Sequence, residues 1–442
     1  MTLVSSGSRR KGRASPPPSL LPLTEAKFHP RSSRSGLRLR ARRFLRSRAA
    51  RLFILLFVFW NCAEVFLVRS HLATPPPETP STSTTKRRAE RVYVASLHWN
   101  DGWLVRKYWN DAVVGLAEAL GPQNIFVSVY ESGSWDDTKE GLEDLDRRLE
   151  QMGVARNITL SDVTHEAEIA KVPEGPGWIE TPRGQKELRR IPFLADLRNR
   201  TLRDLLKLRD EGIHFDKVLF LNDVVFKTED VLTLLDTNDG TYAAACSLDV
   251  SDPPNYYDTF ALRDSEGDTH LMQTWPYFRS KVSRKAMVGN WPAVPVRSCW
   301  NGIVAMQAEP FVAKTPLSFR ALPDSLAAHH LEASECCLIH ADNPLSQQLG
   351  VYLNPRVRVG YNSKAYAAIN PASGSWVSPW QIFKGLWGSR ILRWVYRTEA
   401  RDWIVKKRVE KWMDEWPSNK EPGDFCIINE MQVLVENGWA HV

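Results

Sequence analysis

Short apolar runs of strand character alternate with helical periods through the body of this chain, and that alternation most restricts what it can fold into. Val92–Leu97 is apolar and β-prone. Leu104, Tyr108, Ala112, Leu116 and Leu120 follow at steps of four, one face of a helix that Gly121-Pro122 ends. Ile125–Tyr130 reads as a second strand. Leu142, Leu145, Leu149 and Met152 fall on one side of a second helix, with Asp137 and Glu140 spaced as a capping box. A third helix is expected from about Phe193 to Leu208, with a buried strand at Lys217–Leu221 behind it. Repetition of this kind builds an α/β fold, a mostly parallel sheet with helices on both faces. Such sheets bind ligands beyond the carboxyl ends of their strands. The residues there are polar: His98, Asn100 and Asp101 after the first strand, Glu131 to Asp137 after the second, Asn222-Asp223 after the buried one. No GxGxxG follows the first strand and no GxxxxGKS/T occurs, which removes a nicotinamide-dinucleotide fold and a P-loop.

The formal charge of +7 is unevenly placed. Residues 1–51 hold 14 Lys and Arg against one acidic residue, Glu25, a balance of +13 that leaves the remainder at −6. A polynucleotide footprint would spread basic residues over the folded body, so no nucleic-acid partner is expected. The basic run ends at Arg51, and the 17 residues 52–68 that follow are apolar apart from Asn61, Cys62 and Glu64. As a helix they would span about 25 Å, slightly under the hydrocarbon thickness of roughly 30 Å, with Glu64 near one end. The positive-inside rule places the basic tail in the cytosol and the body in the lumen. A cleaved signal peptide fits less well, because its charged region would be 51 residues long and no small-x-small site follows.

The expected organisation is a cytosolic tail (1–51), a signal anchor (52–68), a Pro/Thr/Ser-rich stalk (69–90), a catalytic body (91–372) and a Trp-rich basic extension (373–442). Sequons at Asn157 and Asn199 are compatible with a lumenal body. Beyond the anchor lie five cysteines, Cys246, Cys299, Cys336, Cys337 and Cys426, an odd number that leaves at least one unpaired within the chain. Residues 376–416 hold seven Trp, read as helical packing over the sheet, with sugar stacking or a membrane-facing surface as the functional alternatives.

Six segments then occur in order: Asn124–Ser134 with Asp137-Thr138, Ile191–Ala195 with Arg198-Asn199, Phe220–Phe226, Tyr257–Phe260 with Arg263-Asp264, Cys299–Ile303 and Glu335–Asp342. Together they resemble the capsule-associated fungal mannosyltransferases, the cryptococcal α-1,3-mannosyltransferase family, from about Val92 to Tyr361. The resemblance implies a GT-A-like glycosyltransferase domain in the Golgi lumen of a single-pass type II protein. It also implies transfer of mannose from GDP-mannose to a hydroxyl of a mannose-containing glycan or polysaccharide, α-1,3 with retention, using Mn²⁺ or Mg²⁺.

In GT-A enzymes an Asp-x-Asp motif after a buried strand holds the cation against the donor diphosphate. Aligned that way, Leu221-Asn222-Asp223 keeps the last carboxylate and has Leu in place of the first. Asp223 is thus the expected metal ligand, His340 a second one, and Asn222 a source of a carbonyl oxygen. The bland reading of His340 is a core histidine bonded to Asp342. Arg198 is expected to receive the charge of the departing diphosphate. Asp249, Asp258 and Glu335 are the other catalytic candidates, none of them a covalent nucleophile. Asp249 and Asp258 fall in a stretch read as loop-rich and suited to a hydroxyl-rich acceptor. Ser96, Tyr130, Glu131, Ser132, Arg198, Asn199, Asn222 and Gly302 are expected to bind the donor, Gly302 by letting backbone approach a sugar. Glu131 reads alternatively as a cap on the loop at Ser132 and Ser134, and a glycan on Asn199 would sit beside the site. A same-fold transferase using another nucleotide sugar and a non-catalytic assembly subunit remain open.

Overall fold

The structure, a computed structural model, describes residues 47–73, 90–395 and 399–442; expectations for most of the tail and stalk lie outside them. The chain divides into two compact units, Met1–Trp60 and Asn61–Val442. Helix α1 (Arg48–Leu72) begins in the first and ends in the second. It runs 25 residues with a mean hydropathy of 2.0 in its most apolar stretch. At about 37 Å it is long and apolar enough to cross a membrane. It exceeds the expected 17 residues because Arg48 to Arg51 and Arg69 to Leu72 continue it.

The second unit is built on a nine-stranded sheet. Its strands are β1 (Val92–His98), β2 (Ile125–Ser132), β3 (Ala155–Ser161), β4 (Lys217–Leu221), β5 (Ala244–Val250), β6 (Arg263–Asp264), β7 (Val294–Ser298), β8 (Ile303–Gln307) and β9 (Val351–Gly360). Their order is β3-β2-β1-β4-β8-β5-β9-β7-β6. All run one way except β8, inserted between β4 and β5, and β7, inserted between β9 and β6. This is the mostly parallel α/β architecture that the alternating pattern predicts.

Side-chain alternation sends Val92 and Val94 to one face and Tyr93 and Ala95 to the other. Helices α2 (Asn110–Leu120) and α3 (Thr138–Gln151) cover the first face through Leu116 and Leu145. Helices α4 (Arg190–Thr201), α5 (Arg203–Asp210) and α7 (Glu335–Asp342) cover the second through Ala195, Leu205 and Ile339. Helix α6 (Thr228–Leu235), which joins β4 to β5, packs on the first face.

Four local expectations are corrected. The first helical period opens with a π-turn, Val105–Trp109, before α2 begins. The third helix is two, α4 and α5, broken at Leu202. Asp137 makes no capping hydrogen bond. Asp136 takes that place, its Oδ1 accepting from Thr138 N (3.1 Å), while Asp137 swings out to Arg106 Nε (3.0 Å). The stretch holding Asp249 is no loop but the fully buried strand β5. Buried on both faces, it lacks the polar alternation that marks a half-exposed strand.

Two disulfides form, Cys246–Cys299 and Cys337–Cys426, leaving Cys336 buried and free and Cys62 exposed. The second ties the C-terminal segment to α7, and Ile427–Ile428 pairs with Glu332–Ala333 beside it. Between them lie α8 (Pro379–Val395) and α9 (Glu399–Glu415). Of their tryptophans Trp412 is buried, donating to Ser325 Oγ at 3.0 Å, whereas Trp380, Trp394 and Trp403 are exposed, as is Trp416 just after α9.

Candidate active site

The carboxyl end of β4 leads directly into Asn222-Asp223, where the chain turns away from the sheet and Asn222 N donates to Gly302 O at 3.0 Å. Asp223 is exposed to solvent, yet protein crowds it closely. Its carboxyl pKa is lifted to about 7, by burial first and then by Asp101, with His98 pulling the other way.

The charge on His98 follows from counting hydrogens. The hydroxyl of Ser96 donates its one proton to Leu221 O (2.6 Å), so its oxygen can only accept from His98 Nε2 (2.9 Å). His98 Nδ1 donates to Asp101 Oδ2 at 2.6 Å. Both ring nitrogens carry protons, and the ring is an imidazolium. Burial opposes that charge, but Asp101, Asp223 and Glu131 together raise the His98 pKa. The expected donor residue Ser96 is therefore engaged in tying β1 to β4.

Across the sheet, Asp249 near the end of β5 is completely buried. Its Oδ1 accepts from Asn301 Nδ2 (2.8 Å) and its Oδ2 from Tyr361 OH (3.3 Å). Its pKa rises to about 7 through burial and then through Asp258, whose own pKa burial also raises. Asp258 accepts from the backbone N–H groups of Phe260, Ala261 and Asn301. Asn301 and Gly302 make the turn that presents the Asn301 donors, with φ of 44° and 90°. A Cβ at Gly302 would lie 2.5 Å from Val359 Cγ2. The glycine is thus required by the turn and by packing on β9.

Glu335 opens α7, and its Oε1 accepts from Arg198 Nε at 2.9 Å. The Arg198 guanidinium lies 4.8 Å above the Trp300 ring, whose Nε1 donates to Asn222 Oδ1 at 3.1 Å. Arg198 acts electrostatically on both Asp223 and Asp258. Arg190, on the first turn of α4, adds a second cation whose pKa burial lowers. The Tyr257 and Tyr361 rings pack at a tilt with centroids 4.3 Å apart, and their hydroxyl pKa values are raised by burial and by Asp223, Asp249 and Asp258. Asp223, Asp258 and Glu335 therefore all act on Arg198, and the buried Asp249 acts on Asp258. The sequence had marked His98 and Asp101 only as polar residues at a strand end. Arg190, Asn301 and Tyr361 had not been marked as site residues.

The other candidates lie differently. Asn199 is clasped to Phe319 backbone, Nδ2 donating to its O (2.8 Å) and Oδ1 accepting from its N (2.9 Å). Glu131 spends its oxygens on the N–H groups of Ser134 and Ser161, the loop-capping alternative. Ser132 is buried at the end of β2. Tyr130 OH accepts from Arg200 Nη1 at 2.6 Å. His340 packs against the Cys246–Cys299 disulfide, and its Nε2 donates to Cys299 O at 2.6 Å. Burial drives its pKa down to about 4. The Asp342 proposed as its partner is instead paired with Arg320 at 2.6 Å.

A hard divalent cation suits this set of groups. Several carboxylates face one another with raised pKa values, and a cation would relieve both their repulsion and their desolvation. Asp223 is exposed and could hold it. Asn222 Oδ1 accepts from Trp300 Nε1, and His340 is bonded through Nε2 to Cys299 O.

No curated protein sequence matches this chain. A mannosyltransferase from Pyrobaculum calidifontis, solved in complex with GDP-Man and Mn²⁺, is similar at 12% identity over 82% of this chain and 84% of that one, with a TM-score of 0.35. Glucosyl-3-phosphoglycerate synthase from Mycobacterium tuberculosis, in complex with Mg²⁺ and uridine-diphosphate, is similar at 14% identity over 65% and 75%, with a TM-score of 0.29. A sequence model of the family described as cryptococcal mannosyltransferase 1 matches residues 91–342, more than half of the chain. The match runs from the start of β1 to the end of α7 and takes in Asp223, Asp249, Asp258, Arg198 and Glu335, so the chain belongs to the cryptococcal mannosyltransferase 1 family.

Proposed function

We propose that this glycosyltransferase moves mannose from GDP-mannose to a hydroxyl of a mannose-containing glycan, α-1,3 with retention, with Mn²⁺ or Mg²⁺ bound through Asp223. The observation that carries the reading is the convergence of the motif-borne groups. Arg198 and Glu335 are 137 residues apart in sequence yet hydrogen-bonded, and Arg198 links them electrostatically to Asp223 and Asp258. When bound, the cation supplies positive charge to the donor diphosphate. Arg198, held by Glu335 and by the Trp300 ring, adds charge where the leaving group develops it. Asp258, partly exposed and with its carboxyl pKa raised by burial, orients the attacking hydroxyl, while the wholly buried Asp249 holds Asn301 and Tyr361 beside it. No side chain forms a covalent adduct with the sugar; the departing phosphate oxygen assists the acceptor on the same face of the ring.

Helix α1 and the basic tail support a single-pass type II Golgi protein with its body in the lumen. The purified full chain in detergent, given Mn²⁺ and a panel of nucleotide sugars, should release nucleotide from GDP-mannose alone. Turnover of a UDP-sugar instead would make it a transferase of another donor. No turnover with any donor would make it a non-catalytic subunit.

A further inference from the structure

We propose that α8 is an interfacial helix that lies on the membrane leaflet from which α1 emerges, so that the body is held against the bilayer and not suspended on a stalk alone. This rests on the reading of α1 as a membrane span. Within the unit Asn61–Val442, the last turns of α1 pack on the body, with Val68 and Leu72 in its core and His71 O accepting from Asn290 Nδ2 at 3.1 Å.

The two polar residues of this part of the apolar run meet α8. Asn61 Oδ1 accepts from Trp387 Nε1 at 2.6 Å, and Glu64 is ion-paired with Arg390. A carboxylate at the end of a span is tolerated when a partner neutralises it, and α8 provides that partner. Its level along α1 is thereby fixed in the lumenal half of the apolar run.

The surface that α8 presents there is built for an interface. Trp380, Lys384, Trp387, Ile391 and Trp394 recur at steps of four and three, one stripe of a helix. The opposite side carries Ile382, Gly385 and Ser389, all buried against the body. Trp394 is 90% exposed, Trp380 61% and Ile391 54%. Such exposure is costly in water, whereas Trp is at home at headgroup depth. Lys384, stacked on Trp380 at 5.1 Å, gives the stripe positive charge of the kind an anionic leaflet attracts.

The full chain, carrying Cys62→Ser, would be reconstituted into phosphatidylcholine–phosphatidylserine vesicles with one environment-sensitive fluorophore per protein. The label would replace Trp394, Trp380, Phe57 on α1, or the exposed Glu143 on α3 as the reference. Lipids bearing a nitroxide near the headgroup should quench the labels at 394 and 380 several-fold more than the label at 143. Ile391→Asp should reduce quenching at 394. Quenching at 57 with 394 and 380 no different from 143 would overturn the proposal while leaving the span intact. A label at 57 beyond reach of quenchers at every bilayer depth would overturn the span, and the proposal with it. Emission at 394 that follows the protein-to-lipid ratio would assign the stripe to a second copy of the chain and overturn it as well.

Discussion

Asp223 and Asp249 hold their protons to about pH 7, whereas an unperturbed Asp gives its proton up near 3.8. Across that window the folded protein binds more protons than the unfolded chain, so its stability falls as pH rises from about 4 to 7. In EDTA, melting temperature should therefore be lower at pH 8 than at pH 5. Asp249→Asn, which keeps the shape and removes the charge, should flatten that dependence and melt above wild type at pH 8. Mn²⁺ at pH 8 should raise the wild-type melting temperature, because it binds the ionised carboxylates. His340→Ala tests the residue that the structure sets beside the disulfide. Leaving Cys299 O unpaired should cost roughly 1–3 kcal/mol in a denaturant titration, while Mn²⁺ binding by the folded fraction stays at its wild-type affinity.

At the scale of elements, the start of α3 separates two neighbouring aspartates. Asp136 caps Thr138 N and also accepts from Gly102 N at 3.0 Å, so Asp136→Ala should destabilise by about 1 kcal/mol. Asp137→Ala removes only an exposed ion pair with Arg106 and should fall within a few tenths of that scale in a parallel denaturation series. Spacing alone favoured Asp137, because Glu140 lies three residues on. The close approach of the 101–102 turn, invisible in sequence, decides for Asp136. The same divide runs through the fold. Strands β1, β2 and β4 and helices α2 and α3 were legible because their apolar runs and periods are bounded by turn residues. Strand β5 was not, since its placement between β8 and β9 buries both faces and erases the pattern. In the site, strand-end position and motif resemblance were enough to mark Asp223 and Arg198. The pairing of Arg198 with Glu335, the clasp on Asn199 and the carbonyl partner of His340 are long-range contacts that no local spacing encodes.

For the whole molecule, the C-terminal segment is part of the folded body through Cys337–Cys426. Cys426→Ala should lower stability by on the order of 2–4 kcal/mol, read as a shift in the denaturant midpoint. Topology has its own test: protease added to sealed microsomes should trim the basic tail and spare the body. The account as a whole rests on a cation held by Asp223 against the donor diphosphate, and the most direct measurement is GDP release from GDP-mannose by the full chain and by Asp223→Asn, with and without EDTA. The account predicts that Asp223→Asn stays folded by melting temperature and loses on the order of 10²-fold or more in turnover, and that EDTA abolishes wild-type activity until Mn²⁺ or Mg²⁺ is restored. Wild-type rates from Asp223→Asn, or full activity in EDTA, would contradict it.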